Sequence, residues 1–169
     1  DGAMNTNTTG CRNVAMGNSA LFSNTEGLCN TALGHIAMYD NTTGDNNVSV
    51  GAEALANNTT ANDNTAVGMS ALKANTTGDS HTAVGLKALL SNTTGLCNTA
   101  MGAYSLDANT TGCCNTAVGL GTLGANTTAN NNTAIGSCSL FANTTAGGNT
   151  AVGTNSLITN TTGDGLVAI

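Results

Sequence analysis

Asparagine recurs at positions 7, 24, 41, 58, 75, 92, 109, 126, 143 and 160, a seventeen-residue spacing that never slips along the 169-residue chain. Such a chain is a repeat protein, in which each unit must bury its apolar surface against the next. Numbering each unit from that asparagine gives seventeen slots with the pattern N-T-T-G-x-x-N-T-A-V-G-x-x-A-L-x-x, cleanest in NTTANDNTAVGMSALKA at 58–74. Slot eleven is Gly in all nine units that reach it, from Gly17 to Gly153, and slot fifteen is Leu in eight of them and Met38 in the ninth. The ten units form a single repeat domain over residues 1–169.

Seventeen residues are too few for the helical-pair repeats, and the units are rich in Asn, Thr and Gly rather than helix formers. With no Trp or Pro and only 2% aromatic residues, the chain cannot fill a conventional layered core. The fold class expected is therefore all-β, a parallel β-solenoid (β-roll or β-helix) of ten coils stacked about 4.8 Å apart. In NTAVG, slot ten is always aliphatic, so strand alternation is expected to turn slots eight and ten inward and slots seven and nine outward. The slot-ten ladder (Val67, Val84, Val118, Ile135, Val152) and the slot-fifteen ladder (Leu72, Leu89, Leu106, Leu123, Leu140) are the candidate core.

The charges, only 7% of the chain, fall in slots three, five, six, twelve, thirteen, sixteen and seventeen. These slots read as solvated turns. Glu26 in slot three turns that slot outward, which makes the slot-two threonines face in and places the slot-one asparagines outward beside slot three. Slot nine, Ala in every unit but one (Ser49), then reads either as a strip for protein contact or as a corner where coils nest.

The NTAVG…AL units resemble the head repeats of YadA-like trimeric autotransporter adhesins, and are similar to repeats of phage tail-fibre and hemagglutinin-like surface proteins. The head repeat of that family is shorter and lacks the NTTG segment. The resemblance implies a left-handed roll on an extracellular fibre, with self-association as a trimer.

Net charge is −6 with three basic residues, Arg12, Lys73 and Lys87, which argues against a nucleic-acid partner. No apolar run reaches membrane-spanning length, and with no signal peptide in view the chain reads as a mature region or a fragment. Neither end carries a polar cap, an expectation of end-to-end stacking into a filament or of excision from a longer array. His35 and His81 lie in different slots, several coils apart. Asp45, Asp79 and Asp164 share slot five without occupying adjacent coils. No catalytic residue, metal ligand or cofactor is assigned, and the chain is not read as an enzyme.

Two sets of residues carry sharper expectations. Asn7, Asn41, Asn58, Asn75, Asn92, Asn109, Asn126, Asn143 and Asn160 lie in N-x-[ST] and would be glycan acceptors in a eukaryotic secretory pathway. Asn24 persists in NTEG, which is no acceptor, so the column reads first as a stacked amide ladder or a turn residue, with glycosylation secondary. Six cysteines suggest an oxidising compartment, against the alternative of free thiols. Cys97 and Cys114 share slot six of consecutive coils and are expected to be bonded; Cys11 and Cys29 offer a diagonal bridge, while Cys113 and Cys138 have no neighbour in register.

The functional expectation is a structural module of an extracellular fibre, filament or adhesin, located outside the cell or on a cell or virion surface, with a cell-surface or glycan ligand as further partner. The alternative is a surface-binding solenoid for ice or glycan. Thr-x-Thr pairs on one strand would favour ice, and the outward pairs expected here, Asn with Thr and Asn with Ala, do not supply them.

Overall fold

The computed structural model describes residues 2–169 and is a parallel β-solenoid without a helix. Asp1, one of the charges counted above, lies outside the described residues. Each coil contributes one short strand: β1 (Val14–Met16), β2 (Thr31–Leu33), β3 (Val48–Val50), β4 (Thr65–Val67), β5 (Thr82–Val84), β6 (Thr99–Met101), β7 (Thr116–Val118), β8 (Thr133–Ile135), β9 (Thr150–Val152) and β10 (Val167–Ala168). They form one parallel sheet in chain order, so successive strands are linked by nine turns of the solenoid. Pairing is in register throughout, slot on slot, as in Thr82↔Thr99, Ala83↔Ala100 and Val84↔Met101.

Outside the strands the coil closes through corners that also repeat. Slot eleven is glycine with φ between +120° and +142°, and a Cβ placed on Gly85 would sit 2.7 Å from the backbone of Gly102 in the next coil. Both the dihedral and the close approach exclude any other residue there. Slots six, thirteen and fifteen adopt the left-handed region with ordinary side chains, for example Cys97 (φ 56°), Lys87 (φ 56°) and Leu89 (φ 52°). Such residues cost about 1–3 kcal/mol each, so the stacking has to over-determine them. It does so through backbone hydrogen bonds to the adjoining coils, such as Leu89 N–H to Ser105 O at 3.0 Å and Cys97 N–H to Asp79 O at 3.1 Å.

The core corrects the strand register expected from the sequence. Slot fifteen is buried as expected: Leu72, Leu89, Leu106, Leu123 and Leu140 are fully enclosed. Slot ten is not. Val67, Val84, Val118 and Val152 are half-buried on the outer surface and Ile135 is 41% exposed, while slot nine (Ala66, Ala83, Ala100, Ala117, Ala134) points inward at 0%. The strand alternates as expected, with opposite phase. The reason is width: the slot-fifteen leucines and the slot-fourteen residues fill the middle of a single thin coil, leaving room only for a methyl group from the strand.

Substitutions should report this phase. Leu89→Ala empties a closed site and is expected to cost about 2–5 kcal/mol. Ala83→Leu forces extra methylenes into a filled interior and should cost at least about 1–3 kcal/mol. Val84→Thr, on the outer surface, should stay within roughly 0.5 kcal/mol of the parent. Urea unfolding followed by circular dichroism gives the ranking.

Candidate functional site

The polar half of the interior is built by asparagine. In slot one, each Asn donates Nδ2–H to Oδ1 of the asparagine one coil earlier, from Asn24 on Asn7 to Asn160 on Asn143, at 2.7–3.3 Å. The second proton goes to the slot-four carbonyl of its own coil, as from Asn109 to Gly112 at 3.0 Å. Asn24, Asn41, Asn58, Asn75, Asn92, Asn109, Asn126 and Asn143 are fully buried. Slot four is only Gly or Ala because it lies against this ladder; a Cβ on Gly95 would meet Asn109 Nδ2 at 3.2 Å.

A second ladder runs through slot seven. There Oδ1 accepts the backbone N–H of the next slot-seven residue, as Asn98 does from Asn115 at 2.9 Å. Nδ2 donates to the slot-four carbonyl of the next coil, as from Asn98 to Gly112 at 2.7 Å. Asn149 Nδ2 is the one buried side-chain polar atom without a partner among the described residues.

The outward placement expected for slot one is therefore corrected. Around the NTTG segment the chain bends, and strand parity does not carry through a bend. In most coils two or three consecutive N–H groups of slots two, three and four turn onto one carbonyl; Thr25, Glu26 and Gly27 all donate to Thr42 O at 3.0–3.2 Å. The Thr25 hydroxyl joins them at 3.1 Å. This geometry sends slot one inside, leaves slot two half-buried and puts slot three outside. Asn41, Asn58, Asn75, Asn92, Asn109, Asn126 and Asn143 are enclosed, while Asn7 and Asn160 in the terminal coils are half-buried. A glycan on any of these amides would have to displace ladder bonds.

The expected disulfides are also absent. Cys97, Cys114, Cys11 and Cys29 are exposed free thiols, and Cys113 and Cys138 are free and half-buried. Cys97 and Cys114 do occupy adjoining coils in the same slot. In-register stacking keeps every pair of equivalent atoms about one strand spacing apart, roughly 4.8 Å, whereas a disulfide draws the two Cβ atoms to about 3.5–4.5 Å.

His81 replaces asparagine in slot seven. The imidazole reproduces both asparagine contacts: Nδ1 accepts from Asn98 N–H at 3.1 Å and Nε2–H donates to Gly95 O at 2.7 Å. The ring is therefore the neutral Nε2–H tautomer. Burial pushes its pKa below the ordinary value of 6.5, against the opposite pull of Gly95, Asn98 and Asp79. His35 is exposed and far along the chain. Among the described residues, no group of three or more His, Cys, Asp or Glu could hold a metal ion, and no helix is long and apolar enough to cross a membrane.

The outer surface of the sheet differs from the interior. Slots eight and ten project outward as two columns, Thr and aliphatic; the residues from Thr65 to Thr150 give six consecutive threonines. The slot-two hydroxyls donate to the next coil, Thr76 to Thr93 O and Thr110 to Thr127 O at 3.1 Å. The slot-eight hydroxyls make no hydrogen bond within the protein among the described residues and are open to solvent.

Two measurements test the ladders. Asn109→Ala strands the Asn92 Oδ1 below it and removes the acceptor of Asn126 Nδ2 above; each orphaned group should cost about 1–3 kcal/mol, read as a lowered Tm. For His81, the unfolded chain binds the proton more readily than the folded one, so its contribution is intact above pH 6.5 and is lost as pH falls below that value. The parent should lose more thermal stability between pH 7.5 and pH 5 than His81→Asn, which keeps both contacts without a titrating group. Comparison of the chain with protein-family models, with curated proteins and with solved structures gives no match, so its family is not established and the functional reading rests on the geometry above.

Proposed function

We propose that the chain is a structural module, a stiff β-solenoid rod that provides reach and a repeated surface on an extracellular fibre, filament or adhesin. The observation carrying this reading is the continuous intercoil bonding: the same asparagine ladder, and the same bond from the slot-two hydroxyl to the slot-two carbonyl of the next coil, recur from the first coil to the last. Bending such a rod would stretch an entire row of short hydrogen bonds at once, so the ladder resists it. The outward slots are free to vary in charge and size without touching the interior, which suits multivalent display. Its resemblance to the head repeats of trimeric surface adhesins supports the same placement and makes self-association the partner reading.

Solution scattering of the purified protein should give a rod whose long axis spans about nine strand spacings, near ~43 Å for the stacked sheet. An antibody raised against it should label intact cells or particles of the source without permeabilisation. A globular scattering profile would remove the rod, and labelling only after permeabilisation would remove the surface placement.

A further inference from the structure

We propose that the outward Thr-x-aliphatic face of the sheet, centred on Thr82, Thr99, Thr116 and Thr133, is an ice-binding surface whose occupant is an ordered water lattice. The proposal does not depend on where the rod is displayed. The phase found in the structure replaces the outward Asn and Ala pairs expected from the sequence: the pairs facing solvent on β4 to β9 are Thr with Val, Met or Ile, one hydroxyl column beside an aliphatic one rather than the two hydroxyl columns of a Thr-x-Thr face.

From Thr65 to Val152 the two columns hold no charged and no aromatic residue. The hydroxyls of one column repeat at the strand spacing, about 4.8 Å, and have no protein partner to turn them away from water. Each can hold a water, at a period set by the backbone rather than by side-chain freedom, since χ1 of a β-branched residue in a strand is restricted. The neighbouring column, with Val84, Met101, Val118 and Ile135, offers no hydrogen bond, so the water over it must bond to other water. A row of anchored waters beside a row of caged waters is a template that growing ice can incorporate.

Other occupants fit less well. A sugar site needs convergent polar groups in a concavity, and these columns are open and parallel. A second copy would need more surface: two columns about 6.6 Å apart and ~43 Å long cover roughly 300 Å², against roughly 800 Å² for each partner of a standard interface. It would also take a row of hydroxyls out of water with no acceptor fixed opposite.

The test is nanolitre osmometry on the purified full chain, with crystal shape recorded during growth and the oligomeric state measured by sedimentation. Expected are a gap between melting and freezing, faceted crystals and a free sheet face. The double variant Thr99→Lys with Thr116→Lys should lose both the gap and the faceting. Thr99→Tyr with Thr116→Tyr, which a strand accommodates, should show the same loss and covers the case in which the lysine pair fails to fold. Thr94→Lys, exposed in slot three, should retain both. Absence of hysteresis and shaping in the parent overturns the proposal. So does activity retained by a folded face variant, activity lost through Thr94→Lys alone, or a dimer that buries Thr99.

Discussion

The structure depends on one constraint: equivalent atoms of successive coils lie a single strand spacing apart, and every buried polar group must find its partner at that distance. Asparagine satisfies this with itself. Its amide carries a donor and an acceptor on a short stem, so Nδ2 of one coil reaches Oδ1 of the preceding one and the chain of amides continues without a break. Aspartate lacks the donor, and glutamine would need a wider coil. The seventeen-residue period is the sequence expression of that self-complementarity, since one slipped residue would take every amide out of phase.

The narrow coil explains the rest of the interior. Left-handed corners at slots six, thirteen and fifteen let so short a loop close, and their conformational cost is offset because the N–H of each is fixed by a bond to an adjoining coil, the preceding one at slots six and thirteen and the following one at slot fifteen. The leucine at slot fifteen sits on one of these corners, directed at the axis, which leaves alanine as the strand's inward residue. His81 shows what the ladder requires: an imidazole serves because its two nitrogens fall where the amide oxygen and nitrogen would. Chemistry matters there more than residue type.

The period, the all-β solenoid, the slot-fifteen core, the recurrent glycine of slot eleven and the exposure of slot three were legible in the sequence, because each follows from recurrence or from where charge is tolerated. The phase of the strand was not. Alternation specifies parity only, and the assumption that the larger side chain goes inside fails in a coil too thin for valine and leucine together. The slot-one asparagines were misplaced for a related reason, as parity was carried from Glu26 through a bend where three N–H groups share the Thr42 carbonyl. Glu26 marked its own slot correctly and said nothing about slot one. The Cys97 and Cys114 alignment was read correctly as a register, yet both are free thiols in the structure, since sharing a slot in adjoining coils does not by itself form the bond.

The two threonine columns separate what the fold needs from what it leaves free. In slot two the hydroxyl joins the N–H groups gathered on one carbonyl, four donors in all at Thr42 O and three at Thr59 O, so threonine there is explained by the coil itself. In slot eight it bonds nothing within the protein, and Val14, Val48 and Val167 occupy the same slot in three strands, which shows that the coil asks only for a β-branched side chain. Valine would satisfy the remaining strands equally well as packing. Six consecutive hydroxyls from Thr65 to Thr150 are therefore a regularity that stability does not account for, facing solvent beside an aliphatic row of the same period. The part of the repeat that points to a ligand is the part whose uniformity the hydrogen-bond ladder leaves unexplained.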